Sequence, residues 1–376
     1  MVRLSRAAQQ ARNRARVLAA ARDEFVEHGF RDAKVDRIAD RLELTRGVVY
    51  SNFPSKRALY FAVLAELAED APDLEHVAPG QTPHAALGAL ARAWVARLPF
   101  TDADEQPRLG FGLLPEIVSD NRLRLPFAQL MTLDAILLGL ALERLQPLRA
   151  PRRRMVRVAE AVLMTLHGAR QMAAAAPAFL DPFTVIETCG QLADLDLDDV
   201  WEPPHIPYVG RARPADAAWS PPDATDAVRD EPVALGDDGV VAVLGLHRLG
   251  AAEEAVRAAR PDDEITAVVV TGQPEELGPL ARMAVAELCG CLRQAFAWAA
   301  WPRLHIVHDD SGAIAAAAGV TTVTDDTEIA VRIHDGRIMA RADGRGAGHA
   351  AASTDATAWP NARHTEPERD GDRDGL

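Results

Sequence analysis

Residues 44–60 read LTRGVVYSNFPSKRALY and combine a short apolar helical pattern with a dense run of small and hydrogen-bonding residues. Val48, Val49 and Phe53 fall at spacings that place them on one side of a helix. We predict a helix that starts at Thr45 as N-cap and stops near Phe53, because Pro54 cannot continue it. Apolar side chains would then face a core, while polar groups occupy the opposite face.

That polar face suits a DNA groove. A helix of this size fits the major groove of B-DNA, and the Arg46 guanidinium can read the O6 and N7 atoms of guanine. Gly47 carries no side chain, so its backbone can approach the duplex closely. The other polar residues are predicted to contact phosphates or base edges: Thr45, Tyr50, Ser51, Asn52 and Lys56.

Two further helices precede this one, at about 12–28 and 35–42, and Ser55 begins a fourth that runs to about Asp70. Residues 1–60 carry 13 Lys+Arg against 7 Asp+Glu, although the 376-residue chain has a net charge of −14. A basic end on an acidic protein indicates a local surface for a polyanion. The alternative is a protein-interaction module with a solvated, charged face.

The segments AARDEFVEHGF, VDRIADRLEL, TRGVVYSNFPSK and RALYFAVL together resemble the DNA-binding domain of the TetR family of bacterial transcriptional regulators. The resemblance covers residues 12–60 by motif. It implies a helix-turn-helix in residues 1–60. It also implies operator contacts at the seven positions named above: Thr45, Arg46, Gly47, Tyr50, Ser51, Asn52 and Lys56. Two positions depart from the family pattern: Glu43 replaces a turn glycine, which predicts a strained or differently shaped turn, and Lys34 replaces Thr or Ser.

Residues 61–200 are predicted to be all-helical, with helices at about 82–98, 107–120, 121–146, 152–176 and 182–195. This region is similar in architecture to the ligand-binding and dimerisation domain of the family, which implies a small-molecule effector and a homodimer formed by the last two helices. Candidate pocket residues are Trp94, Met131, Asp134, Met164, His167 and Gln171. For any one of them we favour the plainer interpretation, in which the apolar residues are core and His167 is a buried or interface histidine. One helix repeats apolar or small residues in a coiled-coil-like seam: Met155, Ala159, Val162, Leu166, Ala169 and Ala173.

Beyond residue 200 the composition changes twice. Residues 201–238 are rich in proline and lack periodicity, so we predict a linker or an extended arm that lies on the surface. Residues 239–352 alternate strands and helices in the order βαβαβαββ, which predicts a small α/β domain. The tail, residues 353–376, has a composition typical of disorder.

The 239–352 segment resembles the thioredoxin-like fold, and peroxiredoxins within it, through PRLHIVHDDSGAIAAAAGV and TEIAVRIHDGRIMARADG. Those enzymes carry a nucleophilic cysteine after the first strand, whereas this chain has HRLGAAEEAV there. We therefore predict a non-catalytic domain, with Cys289 and Cys291 as packed small residues. The alternative is a thiol oxidoreductase domain tethered to a DNA-binding head.

The complete prediction is a multidomain, cytoplasmic, TetR-like regulator, most simply a repressor, that binds a palindromic operator in double-stranded DNA as a homodimer. No enzyme activity, cofactor, metal site or membrane partner is predicted. A metal site in HIVHDD is disfavoured because His305 and His308 point to opposite faces of a strand.

Overall fold

A long first helix, two short helices and the start of a fourth enclose an aromatic core at the N-terminal end. The computed structural model describes residues 6–72, 78–98, 106–147 and 152–354. The four helices are α1 (Arg6–Asp32), α2 (Val35–Arg41), α3 (Arg46–Asn52) and α4 (Lys56–Glu69). Phe25 and Phe30 of α1 pack on Tyr60 of α4, with ring centres 5.4 and 4.7 Å from the tyrosine ring. This core fixes the angle at which α3 is presented.

The turn between α2 and α3 holds Glu43 at a φ of +55°. A side chain in this left-handed region is disfavoured, and glycine is the residue that avoids the steric cost. The strain predicted from the missing glycine is therefore present.

Five more helices form the middle of the chain: α5 (Pro83–Val95), α6 (Leu113–Ser119), α7 (Asn121–Arg144), α8 (Val156–Ala175) and α9 (Pro182–Leu192). Side-chain caps at Thr82, Asp120 and Asp181 start three of them. α7 is long and apolar enough to cross a membrane by length and composition alone, but 67% of its apolar window is buried inside the protein. It is the central helix of this bundle.

The seam predicted on α8 packs inside the chain. All six of its residues, from Met155 to Ala173, are buried. The outward face of α8 instead carries Met164, Gly168 and Met172. α8 also begins close to α7, since a Cβ added to Gly139 of α7 would lie only 2.8 Å from Val156.

The C-terminal region is built on a six-stranded mixed sheet. The strands of this sheet are β1 (Arg213–Ala218), β4 (Gly239–Gly245), β5 (Glu264–Val270), β6 (Leu304–His308), β7 (Glu328–His334) and β8 (Arg337–Asp343). The helices of the region are α10 (Ala251–Ala258), α11 (Leu277–Ala295), α12 (Ala313–Ala317) and α13 (Ala347–Ala352). A separate hairpin pairs β2 (Ala224–Asp226) with β3 (Glu231–Val233). The strand order is β1-β8-β7-β4-β5-β6; β4, β5 and β6 are parallel, and β7, β8 and β1 pair antiparallel. The central strands are continuous apolar runs because helices cover both faces. This matches the predicted α/β pattern, while the thioredoxin-like identity stays a prediction.

The linker predicted for residues 201–238 contains ordered strands instead. β1 forms an edge of the large sheet, and Trp219 is buried with its Nε1 donating to the Leu235 carbonyl at 2.6 Å. Proline is tolerated in edge strands because an edge leaves some N–H groups without a ladder partner. Pro214 and Pro232 lie in such strands, which is why proline content misled the sequence-based prediction. The tail predicted to be disordered lies, apart from Ser353 and Thr354, outside the described residues.

The C-terminal region also packs directly on the helical half. α11 lies along α4, whose residues from Ala58 to Ala65 are all buried. The backbone N–H of Gly80 donates to the Ala295 carbonyl at 2.9 Å, next to a bridge between Gly80 and Phe296. The sheet region therefore encloses the helix that leads out of the N-terminal head.

Candidate nucleic-acid interface

The two faces of α3 differ as the sequence predicts. Val49 and Phe53 are 1% exposed and anchor the helix in the head. Five of the seven predicted contact residues are exposed: Thr45, Arg46, Gly47, Tyr50 and Ser51. The helix therefore offers a polar surface held on an apolar base.

Arg46 lies over a neighbouring aromatic ring. Its guanidinium carbon is 5.5 Å from the centre of the Tyr50 ring, and its Nη1 is 3.4 Å from Asp36 Oδ1. A hydrogen bond with Tyr50, followed by the Asp36 charge, raises the pKa of Arg46. The two side chains thus form one charged, aromatic unit on the exposed face.

The first turn of α3 leaves groups open for a ligand. Thr45 is the N-cap, as predicted, but its side chain makes no capping hydrogen bond. A Cβ added to Gly47 would meet nothing closer than the Thr45 hydroxyl at 3.8 Å. Space above Gly47 would let a DNA backbone or base edge approach the helix.

The side chains of Ser51 and Asn52 make hydrogen bonds to the backbone of their own helix. Ser51 Oγ and Asn52 Nδ2 each donate to the Val48 carbonyl at 2.8 Å. Arg14 of α1, which sequence reasoning missed, donates to the Asn52 carbonyl at 2.9 Å and stacks 4.2 Å from the Phe53 ring centre. Arg14 therefore supplies a hydrogen-bond donor to a carbonyl at the C-terminal end of α3. No local sequence motif reveals that role, because it depends on how α1 crosses α3.

Lys56 has a different environment from the one predicted. Its ammonium group donates to the carbonyls of Arg31 and Ala33 at 3.0 and 2.9 Å and lies 4.7 Å from the Phe30 ring centre. Burial lowers the pKa of Lys56. The ammonium group is thus used to tie α4 to the end of α1, which leaves its predicted phosphate contact without structural support.

Glu24 is a second residue that the sequence analysis missed. Its carboxylate is fully buried and accepts hydrogen bonds from the Lys34 backbone N–H at 3.0 Å, Arg37 at 3.2 Å and Arg41 at 3.4 Å. Lys34 makes no side-chain cap on α2. Glu24 of α1 therefore accepts a backbone N–H at the start of α2, a region where a Ser or Thr cap was expected.

The predicted pocket residues differ in how far they are buried. Trp94 is buried, and His167 meets its ring edge-on at 5.1 Å. Asp134 is buried in α7, where burial and the nearby Glu287 charge raise its pKa well above the usual range. Met131 and Gln171 are half-buried. Met164 is 69% exposed on the outer face of α8, so the prediction that it lines an interior pocket is wrong.

The cysteine environments bear on the oxidoreductase alternative. Cys289 and Cys291 in α11 are fully buried. Burial raises the pKa of both thiols, that of Cys291 to about 11. A reactive cysteine needs an accessible thiolate, which these positions disfavour.

Comparison with known proteins gives a match in the N-terminal head. Residues 17–63 match the family described as "Bacterial regulatory proteins, tetR family". A 51-residue segment is 45% identical to the HTH-type transcriptional activator FasR of Mycolicibacterium smegmatis (strain ATCC 700084 / mc(2)155), covering 14% of this chain and 23% of that protein. A crystal structure of a transcriptional regulator from Rhodococcus sp. Rha1 aligns with a TM-score of 0.33 and 24% identity, over 50% of this chain and 99% of that one.

The chain therefore spans about a quarter of the length of the curated relative it matches. The family match includes α2, α3 and the first half of α4, together with the buried residues that orient them. Residues 17–63 of this chain are therefore similar in sequence to the DNA-binding head of the bacterial tetR family of regulatory proteins.

Proposed function

We propose that this protein is a DNA-binding transcriptional regulator that inserts α3 into the major groove of its operator. The supporting observation is the exposed polar face formed by Arg46, Gly47 and Tyr50 on a helix anchored by Val49 and Phe53, within a TetR-family head. Arg46 would read a guanine, and the amide groups and hydroxyl at Thr45 would meet phosphate.

A homodimer is the second part of this proposal. The outer face of α8 and the segment leading into α9 expose large apolar side chains, among them Met164, Phe179 (77%) and Phe183 (78%). Gly168 lies on the same face of α8 with no atom within 4 Å of an added Cβ. Exposed large apolar side chains on successive segments are typical of a subunit interface, and Gly168 would allow close helix approach. Two heads about 34–36 Å apart would then reach successive major grooves.

Footprinting on DNA upstream of the protein's own gene tests the proposal. We expect a protected site with twofold symmetry, and sedimentation of a dimer that Phe183→Glu converts to a monomer. Tyr208→Glu, at an exposed aromatic residue away from α8 and α9, is the matched control. No sequence preference over random DNA would contradict the regulator, and a wild-type monomer on symmetric DNA would contradict the interface.

Control by a small-molecule effector, repression and a cytoplasmic location remain predictions. The relative FasR is, by its name, an activator, so the sign of regulation must come from where the footprint lies relative to the promoter. We propose a non-catalytic role for the sheet region, supported by the buried thiols and by its packing along α4.

A further inference from the structure

An open cleft of about 1030 Å³ lies where the sheet region meets the end of α4. Its walls are α11, the β2–β3 hairpin, and the carboxyl end of β6 with the loop that follows it. Ligands of α/β proteins commonly bind in a crevice outside the carboxyl ends of parallel strands, and the volume suits a small organic molecule. None of the six pocket residues predicted from the sequence belongs to this lining. The cleft is therefore a different candidate site from the pocket predicted in the helical region.

His308, the last residue of β6, presents an unpartnered ring to this cleft. No group in residues 6–72, 78–98, 106–147 or 152–354 makes a hydrogen bond with the imidazole. The residue is half-buried, and its ring nitrogens are not among the sealed, unpartnered polar atoms of the described residues, so a ligand in the cleft can reach them. Polar side-chain atoms withdrawn from bulk water normally have a hydrogen-bond partner. The free ring nitrogens therefore call for a partner from outside the chain.

The His308 ring is neutral, which makes one of its nitrogens a hydrogen-bond acceptor. Burial and, to a smaller extent, the Arg282 charge lower the pKa of His308 to about 3. A neutral imidazole accepts a hydrogen bond from an ammonium group and does not repel its charge. The ring therefore suits the cationic end of an amine.

The arginines of the cleft already have acceptors within the protein. Arg282 of α11 donates to Asp310, and its Nε lies 3.2 Å from Glu69 Oε1 at the end of α4. Arg293 donates through Nη1 to two carbonyls of the turn between β2 and β3, at 3.1 and 3.2 Å. These guanidinium groups therefore do not make the cleft a site for anions.

Unpaired carboxylates give the cleft a negative charge. Asp70, after α4, and Asp223 and Asp230, beside the two strands of the hairpin, line the cleft and are exposed. None of these three acids has an ion-pair partner among the described residues. Because they lie on two different walls, they favour a ligand with more than one positive charge. The lining also includes apolar residues that suit an alkyl chain: Pro222, Pro232, Val233, Ala286 and Ile314.

We propose that this cleft binds an aliphatic diamine in its dicationic form. One ammonium group would donate to the free nitrogen of His308, the unpaired carboxylates would balance the charge, and the alkyl chain would lie on the apolar lining. Such a ligand would contact the end of α4 together with α11 and β6, and would therefore couple the sheet region to the helix that leaves the head. This regulatory consequence rests on the proposed DNA-binding function, whereas the binding itself does not.

Calorimetric titration of the full chain without DNA tests the site, with hexamethylenediamine as the probe and hexamethylene glycol as its uncharged match. We expect one diamine per chain, and binding of the glycol weaker by about tenfold or more, because the glycol lacks charge-assisted hydrogen bonds. His308→Leu should weaken diamine binding by about tenfold, because it removes the acceptor nitrogen. His308→Gln, whose amide oxygen is also an acceptor, should keep the affinity within about threefold of the wild type.

A pair of substitutions at exposed residues covers the case in which His308→Leu fails to fold. Asp223→Asn combined with Asp230→Asn should weaken diamine binding by about threefold or more at low salt. Asp237→Asn combined with Asp262→Asn, at two exposed acids outside the lining, removes the same charge and should leave the affinity nearly unchanged.

Absence of diamine binding at millimolar concentration, or equal binding of the glycol, would overturn the proposal. So would an unchanged affinity in a folded His308→Leu variant or in the combined variant at Asp223 and Asp230. Failure of DNA binding alone, with diamine binding intact, would refute the proposed function and leave this site standing.

Discussion

Glu276, beside the first turn of α11, accepts hydrogen bonds from Arg57 Nε at 2.7 Å and from Ser55 Oγ at 3.0 Å, both at the start of α4. Arg57 also donates to Asp120, which caps α7, at 2.9 Å. One carboxylate of the sheet region is thus tied to the first turn of the helix that leaves the N-terminal head. The sheet region is consequently part of the support of that head.

Glu276→Gln should lower the free energy of unfolding by about 1–2 kcal/mol, because it weakens a partly buried, charge-assisted contact that solvent screens only in part. Urea denaturation followed by circular dichroism would measure the change. Glu275→Gln, at the exposed neighbouring residue, is the control and should be nearly neutral. Equal effects of the two variants would argue against a specific link between α11 and α4.

Arg46→Ala should weaken binding to the operator by about tenfold or more and relax base preference at one position in each half-site. The reason is the loss of the guanidinium that stands with Tyr50 on the exposed face of α3. Mobility-shift titrations on operator and random DNA would measure the two affinities, with Arg92→Ala as control. Equal losses on both DNAs would show that Arg46 contacts phosphate only.

Lys56→Ala should destabilise the head by about 1–2 kcal/mol, because it removes two hydrogen bonds to carbonyls at the end of α1 and exposes Phe30. We expect the salt dependence of DNA binding to stay unchanged. Lys34→Ala, at the other lysine of the chain, is the control for stability. A shallower salt slope for Lys56→Ala would restore the phosphate contact predicted from the sequence.

Glu43→Gly should raise the free energy of unfolding by about 1 kcal/mol, because glycine adopts the φ of +55° without a Cβ clash. Thermal and urea denaturation would both report the gain. Glu187→Gly, inside the regular helix α9, should instead cost about 1 kcal/mol. Destabilisation by Glu43→Gly would show that the glutamate side chain has a stabilising role in the turn.

His305 and Asp226 should make stability fall as the pH rises. Burial alone would lower the pKa of His305, but its 2.9 Å hydrogen bond to the buried Asp226 outweighs this and the pKa is raised. A raised pKa means that the folded protein holds the proton more tightly than the unfolded chain. The stabilisation from the His305–Asp226 contact is therefore complete below the pKa of His305 in the unfolded chain, about 6.5, and is lost as the pH rises through its pKa in the folded protein.

Urea titrations at several pH values from slightly acidic to alkaline would measure this effect in the wild type and in His305→Gln. The wild type should lose more stability than the variant across that range. Asp226→Asn should remove the same difference while lowering stability at every pH, since Asp226 also accepts the Ile306 backbone N–H. Parallel pH profiles for all three proteins would contradict the raised pKa.

The boundaries of most elements could be predicted because they depend on local patterns. The apolar spacing around Val49, the break at Pro54 and the valine-rich run of β4 fix their elements within a few residues of where the structure has them. The same holds for the exposed contact face of α3, since burying Val49 and Phe53 leaves the other side of a helix outside. The strain at Glu43 could also be predicted, because glutamate occupies a turn position where the family pattern has glycine.

Only the tertiary structure decided which residues meet across elements. Lys56 turns to the carbonyls of α1, Arg14 closes the end of α3, and β1 joins the sheet despite its prolines, each because of a partner far away in the chain. Periodicity along a chain determines which face of an element is apolar, but the free energy of burial is non-directional and does not specify which other face will cover it.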